Sequence, residues 1–306
     1  MRRVVSVSLG SSKRNHKVET EFMGEKFSIE RIGTDGDMNR AISLIRQLDG
    51  KVDAFGMGGI DLYIYVAGKR YVIRDAKKLI AAARMTPMVD GSGLKNTLER
   101  RCIQQLAASD WLQLRGKKVL MVCGVDRFGM AEALVEAGCD VVFGDLIYTV
   151  GIPIPLRSLD ALRRVGRALA PIIVNLPFKM LYPTGKEQEV IIPKHSEYYY
   201  EADIIAGDFN YIKRYLPPRL DGKIVITNTT TREDVELLRE RGVKVLVTTT
   251  PEMQGRSFGT NVLEALLVAI LRKPVEAITP EDYLRLLDEL DIKPTVTWLK
   301  EEGGNG

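Results

Sequence analysis

Leu114-Arg-Gly-Lys-Lys-Val-Leu-Met-Val-Cys-Gly-Val-Asp-Arg-Phe-Gly-Met-Ala-Glu-Ala-Leu-Val-Glu-Ala-Gly-Cys-Asp-Val-Val-Phe-Gly-Asp145 decides how this 306-residue sequence is read. Residues 118–123 read as a strand that is apolar without alternation after Lys118, the pattern of a strand covered on both faces. The run enters Gly124, a short turn leads to Gly129, a helix carries Ala131, Leu134 and Val135 inward, and a second strand ends at Asp145. This is the strand–turn–helix–strand of a Rossmann-like unit. The first turn of such a helix presents backbone N–H groups and a positive dipole end to a pyrophosphate. Asp145 lies about 20 residues past Gly124, where a dinucleotide fold places the acid that hydrogen-bonds an adenosine ribose. A carboxylate there repels the extra phosphate of NADP, so NAD is the cofactor expected. Gly124, Val125, Asp126, Arg127, Phe128, Gly129 and Asp145 are the cofactor-binding candidates. Asp126 replaces the middle glycine of G-x-G-x-x-G, an unfavourable charge beside a diphosphate unless it turns away or pairs with Arg127. A sheet of Rossmann shape that binds something else therefore stays open.

Downstream, strands at 140–143, 203–206, 223–227 and 244–247, each largely apolar after a charged first residue, complete five parallel strands separated by amphipathic helices. Thr231 with Asp234 three residues later reads as a capping box, and Gly242 as the glycine that ends the same helix. Asn228 to Thr230 end a strand and face the crevice, which adds Asn228 to the cofactor set. Arg256, Ser257 and Thr260 sit where an anionic group would be held, although ordinary loop chemistry explains the same letters. The connection 146–201, with prolines at 153, 155, 171, 177, 183 and 193, is long for an α/β sheet and reads as a lid or as a dimer arm, the second implying a homodimer.

Upstream, residues 3–9 read as a strand, 18–32 as a hairpin turning at Gly24, 38–48 as an amphipathic helix, and 52–55 as a strand ending in Gly56-Met57-Gly58-Gly59. Residues 62–73 alternate around Gly68-Lys69, a hairpin signal. Helices at 76–84 and 94–108 flank a short strand at 88–89. The expected class is α/β: an N-terminal α/β substrate domain over 1–112, a Rossmann-like parallel-sheet domain over 113–275 with the insertion 146–201, and a C-terminal helix and tail over 276–306.

Composition narrows the partners. With 45% hydrophobic and 27% charged residues the chain has the balance of a globular protein, and its most apolar stretch, 262–271, is about half a membrane span. The N-terminus lacks the apolar core of a secretory signal, so a cytoplasmic protein is expected. Forty-four basic against 40 acidic residues, well mixed, leave no nucleic-acid footprint, and the basic residues over 157–167 read as one solvated helix face. Cys102, Cys123 and Cys139 have no metal-binding spacing and read as small buried residues, and His16 and His195 read as surface loop residues. No metal is expected.

The order of segments resembles the shikimate/quinate 5-dehydrogenase family. Asp90-Gly91-Ser92-Gly93-Leu94, then a helix, then Arg-Gly-Lys-Lys-Val-Leu is similar to that family's N-T-D-G-x-G-F element feeding a nucleotide-binding strand. Ser6 to His16 is similar to its serine-rich substrate loop, and the run from Thr231 to Asn261-Val-Leu-Glu-Ala to its closing strand and helix. The resemblance implies an NAD-dependent oxidoreductase of a small hydroxylated carboxylic acid, with its site in the crevice between two domains. It implies Asp90 as one catalytic residue, with Lys95 as its lysine partner and Lys78 as a rival, and Ser8, Ser11 and Asn261 as substrate contacts. Proton removal from a hydroxyl by a carboxylate–lysine pair is the chemistry such a reaction needs. The alternative from the residues is a non-redox nucleotide- or anionic-metabolite-binding protein, or a transferase, using the same crevice for its small-molecule ligand.

Overall fold

A computed structural model describes residues 1–66, 69–178, 190–251 and 259–300. The chain is mixed α/β and forms two compact units, each built on a mainly parallel sheet. Gly68, Pro183, Arg256, Ser257 and the tail 301–306 lie outside the described residues.

The first unit collects Met1–Thr97, Val165–Glu189 and Phe258–Ile292. Its strands are β1 (Arg2–Ser8), β2 (His16–Phe22), β3 (Glu25–Gly33), β4 (Ala54–Gly58) and, after a separate hairpin of β5 (Tyr63–Val66) and β6 (Lys69–Val72), β7 (Met88–Val89). They run in the order β2-β3-β1-β4-β7, parallel except for β2, which pairs antiparallel with β3 through a turn at Gly24. Val4, Val5 and Val7 are fully buried, as the central strand of a sheet covered on both faces requires. One cover is the helix Met38–Leu48, which turns Ala41, Ile45 and Leu48 into the core. Another is the helix Thr260–Leu271, buried from Val262 through Ala269 and packed on β1 and β4. Gly56 admits it: a Cβ there would lie 2.7 Å from the carbonyl oxygen of Asn261.

The second unit collects Leu98–Arg164, Val190–Ser257 and Lys293–Gly306. Its sheet runs β13-β12-β11-β10-β8-β9, from β8 (Lys118–Met121), β9 (Asp140–Phe143), β10 (Ile204–Gly207), β11 (Ile224–Thr227), β12 (Val245–Thr248) and β13 (Thr295–Trp298). The first five are parallel and β13 is antiparallel on β12. β13 is a sixth strand beyond the five read from sequence. Its residues Thr295 to Thr297 are only half-buried, so no apolar run announces it, and the free edge of β12 is what orders it.

The units also cut across the sequential division expected above. An all-round apolar helix needs cover on every side, and Thr260–Leu271 finds it on β1 and β4, 200 residues and more upstream, together with Pro280–Glu289. The single helix expected over 94–108 is two, Ser92–Asn96 and Leu98–Ala107, parted at Thr97, whose hydroxyl donates to the Gly93 carbonyl at 2.8 Å. Within the insertion, Tyr199 is fully buried in the second core, and Arg163 pairs with Glu132 and Asp160. Cys102 and Cys123 are buried, whereas Cys139 is half-buried; His16 opens β2 instead of lying in a loop. Among the described residues no helix is long and apolar enough to cross a membrane.

Candidate functional site

In an open α/β sheet, ligands bind outside the carboxyl ends of the strands where the strand order reverses. The first unit reverses at β1, which has β3 on one side and β4 on the other. At its carboxyl end Ser8 Oγ accepts from Gly10 N at 3.1 Å and from Arg31 Nη2 at 2.9 Å. Asn261 Nδ2 donates to Ser6 Oγ at 2.8 Å. A Cβ on Gly58 would lie 3.0 Å from Ser8 Oγ and 3.2 Å from Asn261 Nδ2, so these two side chains close over the same glycine. Of the three residues expected to contact substrate, Ser8 and Asn261 are thus brought together. Ser11 lies beside them, its hydroxyl accepting from Lys13 N and its carbonyl from Arg31.

Asp90 and Lys95 reach the same edge through the turn after β7. Asp90 Oδ2 accepts from Leu62 N at 2.6 Å and Tyr63 N at 3.3 Å, and Oδ1 from Ser92 N at 3.0 Å. Lys95, buried, donates to Asp61 Oδ1 at 2.8 Å. The lysine's carboxylate partner here is Asp61, while Asp90 fastens the loop after β4 by its backbone. Glu264, 4% exposed, accepts from Gly91 N at 2.6 Å, Gly93 N at 3.2 Å and Tyr283 Oη at 2.8 Å. Burial, then the nearby charge of Asp90, pushes its carboxyl up to about 7 against the pull of these hydrogen bonds. Asp61, Arg31, Glu264 and Tyr283 escape the sequence reading, although Glu264 left a signal as the lone charge in the apolar stretch 262–271.

The second unit reverses between β8 and β10. There Asp145 turns inward: Oδ2 accepts from Gly124 N at 2.9 Å and Oδ1 from Val125 N at 2.8 Å. Burial raises its carboxyl to about 6 despite these bonds. Gly124 is packed, not open; a Cβ there would lie 2.9 Å from both Leu162 and Phe143. The carboxylate expected at a ribose therefore holds its own loop. Arg127, 2% exposed, ion-pairs with Glu99, with Asp208 at 2.9 Å and with Asp126 at 3.8 Å. Burial opposes its charge, but Glu99, Asp208 and Asp126 outweigh it and hold the guanidinium above its ordinary pKa. Asn228 joins the group, donating to Asp208 Oδ2 at 3.0 Å and accepting from Phe209 N at 3.3 Å. Phe128 and Gly129 open the helix Phe128–Glu136, with the Arg163 guanidinium over the Phe128 ring. The residues chosen as a cofactor loop are thus brought together, by an internal ion network.

Residues 93–299 match the model of a family described as Domain of unknown function (DUF8754). The chain belongs to this family. Ahead of it, residues 3–90 match Domain of unknown function (DUF8753). No curated protein matches. Among solved structures, this DUF8754 member is similar to an ABC transporter periplasmic solute binding protein from Actinobacillus succinogenes 130z with bound D-allose, at 12% identity over 98% of each chain with a TM-score of 0.36. It is similar to a galactofuranose binding protein at 12% identity, covering 98% of this chain and 95% of that one, TM-score 0.35. A Mycobacterium smegmatis protein in complex with beta-D-fucofuranose gives 11% identity over 95% and 98%, TM-score 0.34. The expected membership of the shikimate/quinate 5-dehydrogenases is overturned by the family matches, which place residues 93–299 and 3–90 in two other families. With it falls the reading as an NAD-dependent oxidoreductase of a hydroxylated acid, and the alternative of a nucleotide- or anion-binding crevice gains no support. The physical reason for the misreading is the Asp145 carboxylate, correctly spaced and turned the other way.

Proposed function

We propose that the first unit binds a small, neutral, hydroxyl-rich molecule at the carboxyl edge of its sheet. One observation carries this: three half-buried polar side chains at that edge are each held by a buried partner, Arg31 by Ser8 at 2.9 Å, Asp61 by Lys95 at 2.8 Å and Asn261 by Ser6 at 2.8 Å. Groups fixed from behind in this way are preorganised for a ligand in front. The set mixes guanidinium and amide donors with carboxylate and amide acceptors, which suits hydroxyls, each both donor and acceptor. Arg31 and Lys95 stand against Asp61, Asp90 and a Glu264 that titrates near neutral pH, so the edge is close to balanced and has no strong field for an ion of either sign.

The test is a thermal-shift titration of the full chain with neutral monosaccharides and polyols, set against gluconate and galacturonate. The expected result is a saturable rise with a neutral compound; at about 100 times Kd the gain is about 2.7 kcal/mol. Asn261→Ala should weaken that binding by about tenfold, the loss of one good hydrogen bond. A response to the acids alone, or a neutral response indifferent to Asn261→Ala, overturns the reading.

A further inference from the structure

Glu264 is the lone charged residue of the helix that carries Asn261. Its carboxylate grips the turn 90–93 from below, Oε2 taking the N–H of Gly91 and Oε1 those of Gly93 and the Tyr283 hydroxyl. The turn cannot back away from the helix or move closer: Gly91 has φ +93°, and a Cβ on it would lie 2.8 Å from the backbone nitrogen of Asn261. Through that turn the grip reaches Asp90, which fastens Leu62 and Tyr63, and Lys95, which fixes Asp61. One buried carboxylate therefore ties Asn261 to the Asp61 side of the polar rim.

An ionised carboxylate accepts all three of these donors, whereas a protonated one must donate from one oxygen. Of the three partners only the Tyr283 hydroxyl can turn round and accept, so the proton goes to Oε1, which then donates to Tyr283 and is left as a weaker, uncharged acceptor for Gly93. The groups facing Glu264 push the same way. Burial and Asp90 raise its carboxyl, and Tyr283, Gly91 and Gly93 lower it less, to a value of about 7. Tyr63 of β5, its phenol pushed above the usual range by burial, stays neutral here, Asp282 beside Tyr283 is matched by Lys273 and Arg285, and Lys95 is matched by Asp61. β4 and β7 bear no charged residue; Arg2 of β1 lies at the other end of the helix, on the Ala269 carbonyl, Arg3 pairs with Glu30 of β3, and of the other charged residues of β3 Glu25 pairs with Arg272 past the helix end, Lys26 stands next to it in the strand, and Arg31 is held by Ser8.

We propose that Glu264 is a proton-operated clamp that holds the turn 90–93, and with it the Asp61 side of the polar rim, while ionised, and loosens its hold on Gly93 when protonated. Its effect on ligand affinity rests on the binding role proposed above; the clamp itself is a property of the ligand-free protein. The experiment is therefore a titration of the ligand-free full chain, labelled with nitrogen-15 at glycine, from about pH 5.5 to about 8.5. The Gly91 and Gly93 amide signals should move together with a midpoint near 7, and Glu264→Gln should abolish the movement. Tyr283→Phe, which removes a hydrogen bond to the ionised form, should raise the midpoint, and it carries the test if Glu264→Gln does not fold. Amides that stay put in this range, or that titrate unchanged in both variants, overturn the clamp. A neutral ligand should bind more weakly below the midpoint, by up to tenfold per pH unit. Titrating amides with no neutral ligand at either pH uphold the clamp and remove the binding role.

Discussion

Arg127→Met is the sharpest probe of the second unit. Methionine fills much the same volume but withdraws the guanidinium from Glu99, which is 0% exposed, and from Asp208. Breaking a buried pair by removing one partner costs about 3–5 kcal/mol, because the other charge keeps its desolvation penalty. That is a large share of the 5–15 kcal/mol typical of a domain. Removing the charge from both sides is different: Arg127→Met with Glu99→Gln should recover most of the loss, to within about 1–2 kcal/mol of wild type. Urea unfolding followed by tryptophan fluorescence is the assay, since Trp111 and Trp298, with ring centroids 5.4 Å apart, both report on this unit. A loss under about 1 kcal/mol for the single variant, or no recovery in the double one, would refute the view that Arg127 is held there by its carboxylates.

Other outcomes follow from the same geometry. Asp145 has a raised pKa of about 6, so the stability it contributes is full below its ordinary value and is lost as pH rises through about 6, a change of about 3 kcal/mol. Asp145→Asn, neutral throughout, should gain on wild type by about that amount between pH 4 and pH 7 in urea titrations; a pH-independent difference would contradict the assignment. Gly91→Ala forces a Cβ to 2.8 Å from a backbone nitrogen at φ +93° and should cost about 3 kcal/mol. Gly24→Ala, at φ +77° with nothing within 4 Å, should cost only about 1 kcal/mol, and melting temperatures that rank the two the other way would count against the packing described.

Much of the framework was legible because it is local. The unalternated runs of β8 to β12 announce strands buried on both faces, and Thr231 with Asp234 forms the capping box their spacing suggests. The turn at Gly24 adopts the positive φ that a glycine there signals. β13 and the break at Thr97 were illegible to periodicity, since a neighbouring strand edge orders the first and a side-chain bond back to the Gly93 carbonyl accompanies the second.

The site shows the limit more plainly. The sequence alone determined that Asp145 would stand beside the Gly124 turn, because any strand–turn–helix–strand of that length brings the two together. Only the tertiary structure decided that the carboxylate faces the Gly124 and Val125 amides, with Phe143 and Leu162 filling the space above the glycine. Glu264 and Gly91 are 173 residues apart, and Arg127 and Glu99 meet across separate elements. Periodicity tells which face of a segment is buried, but a buried charge is defined by its partner, and partners are chosen by the topology that folds distant segments together.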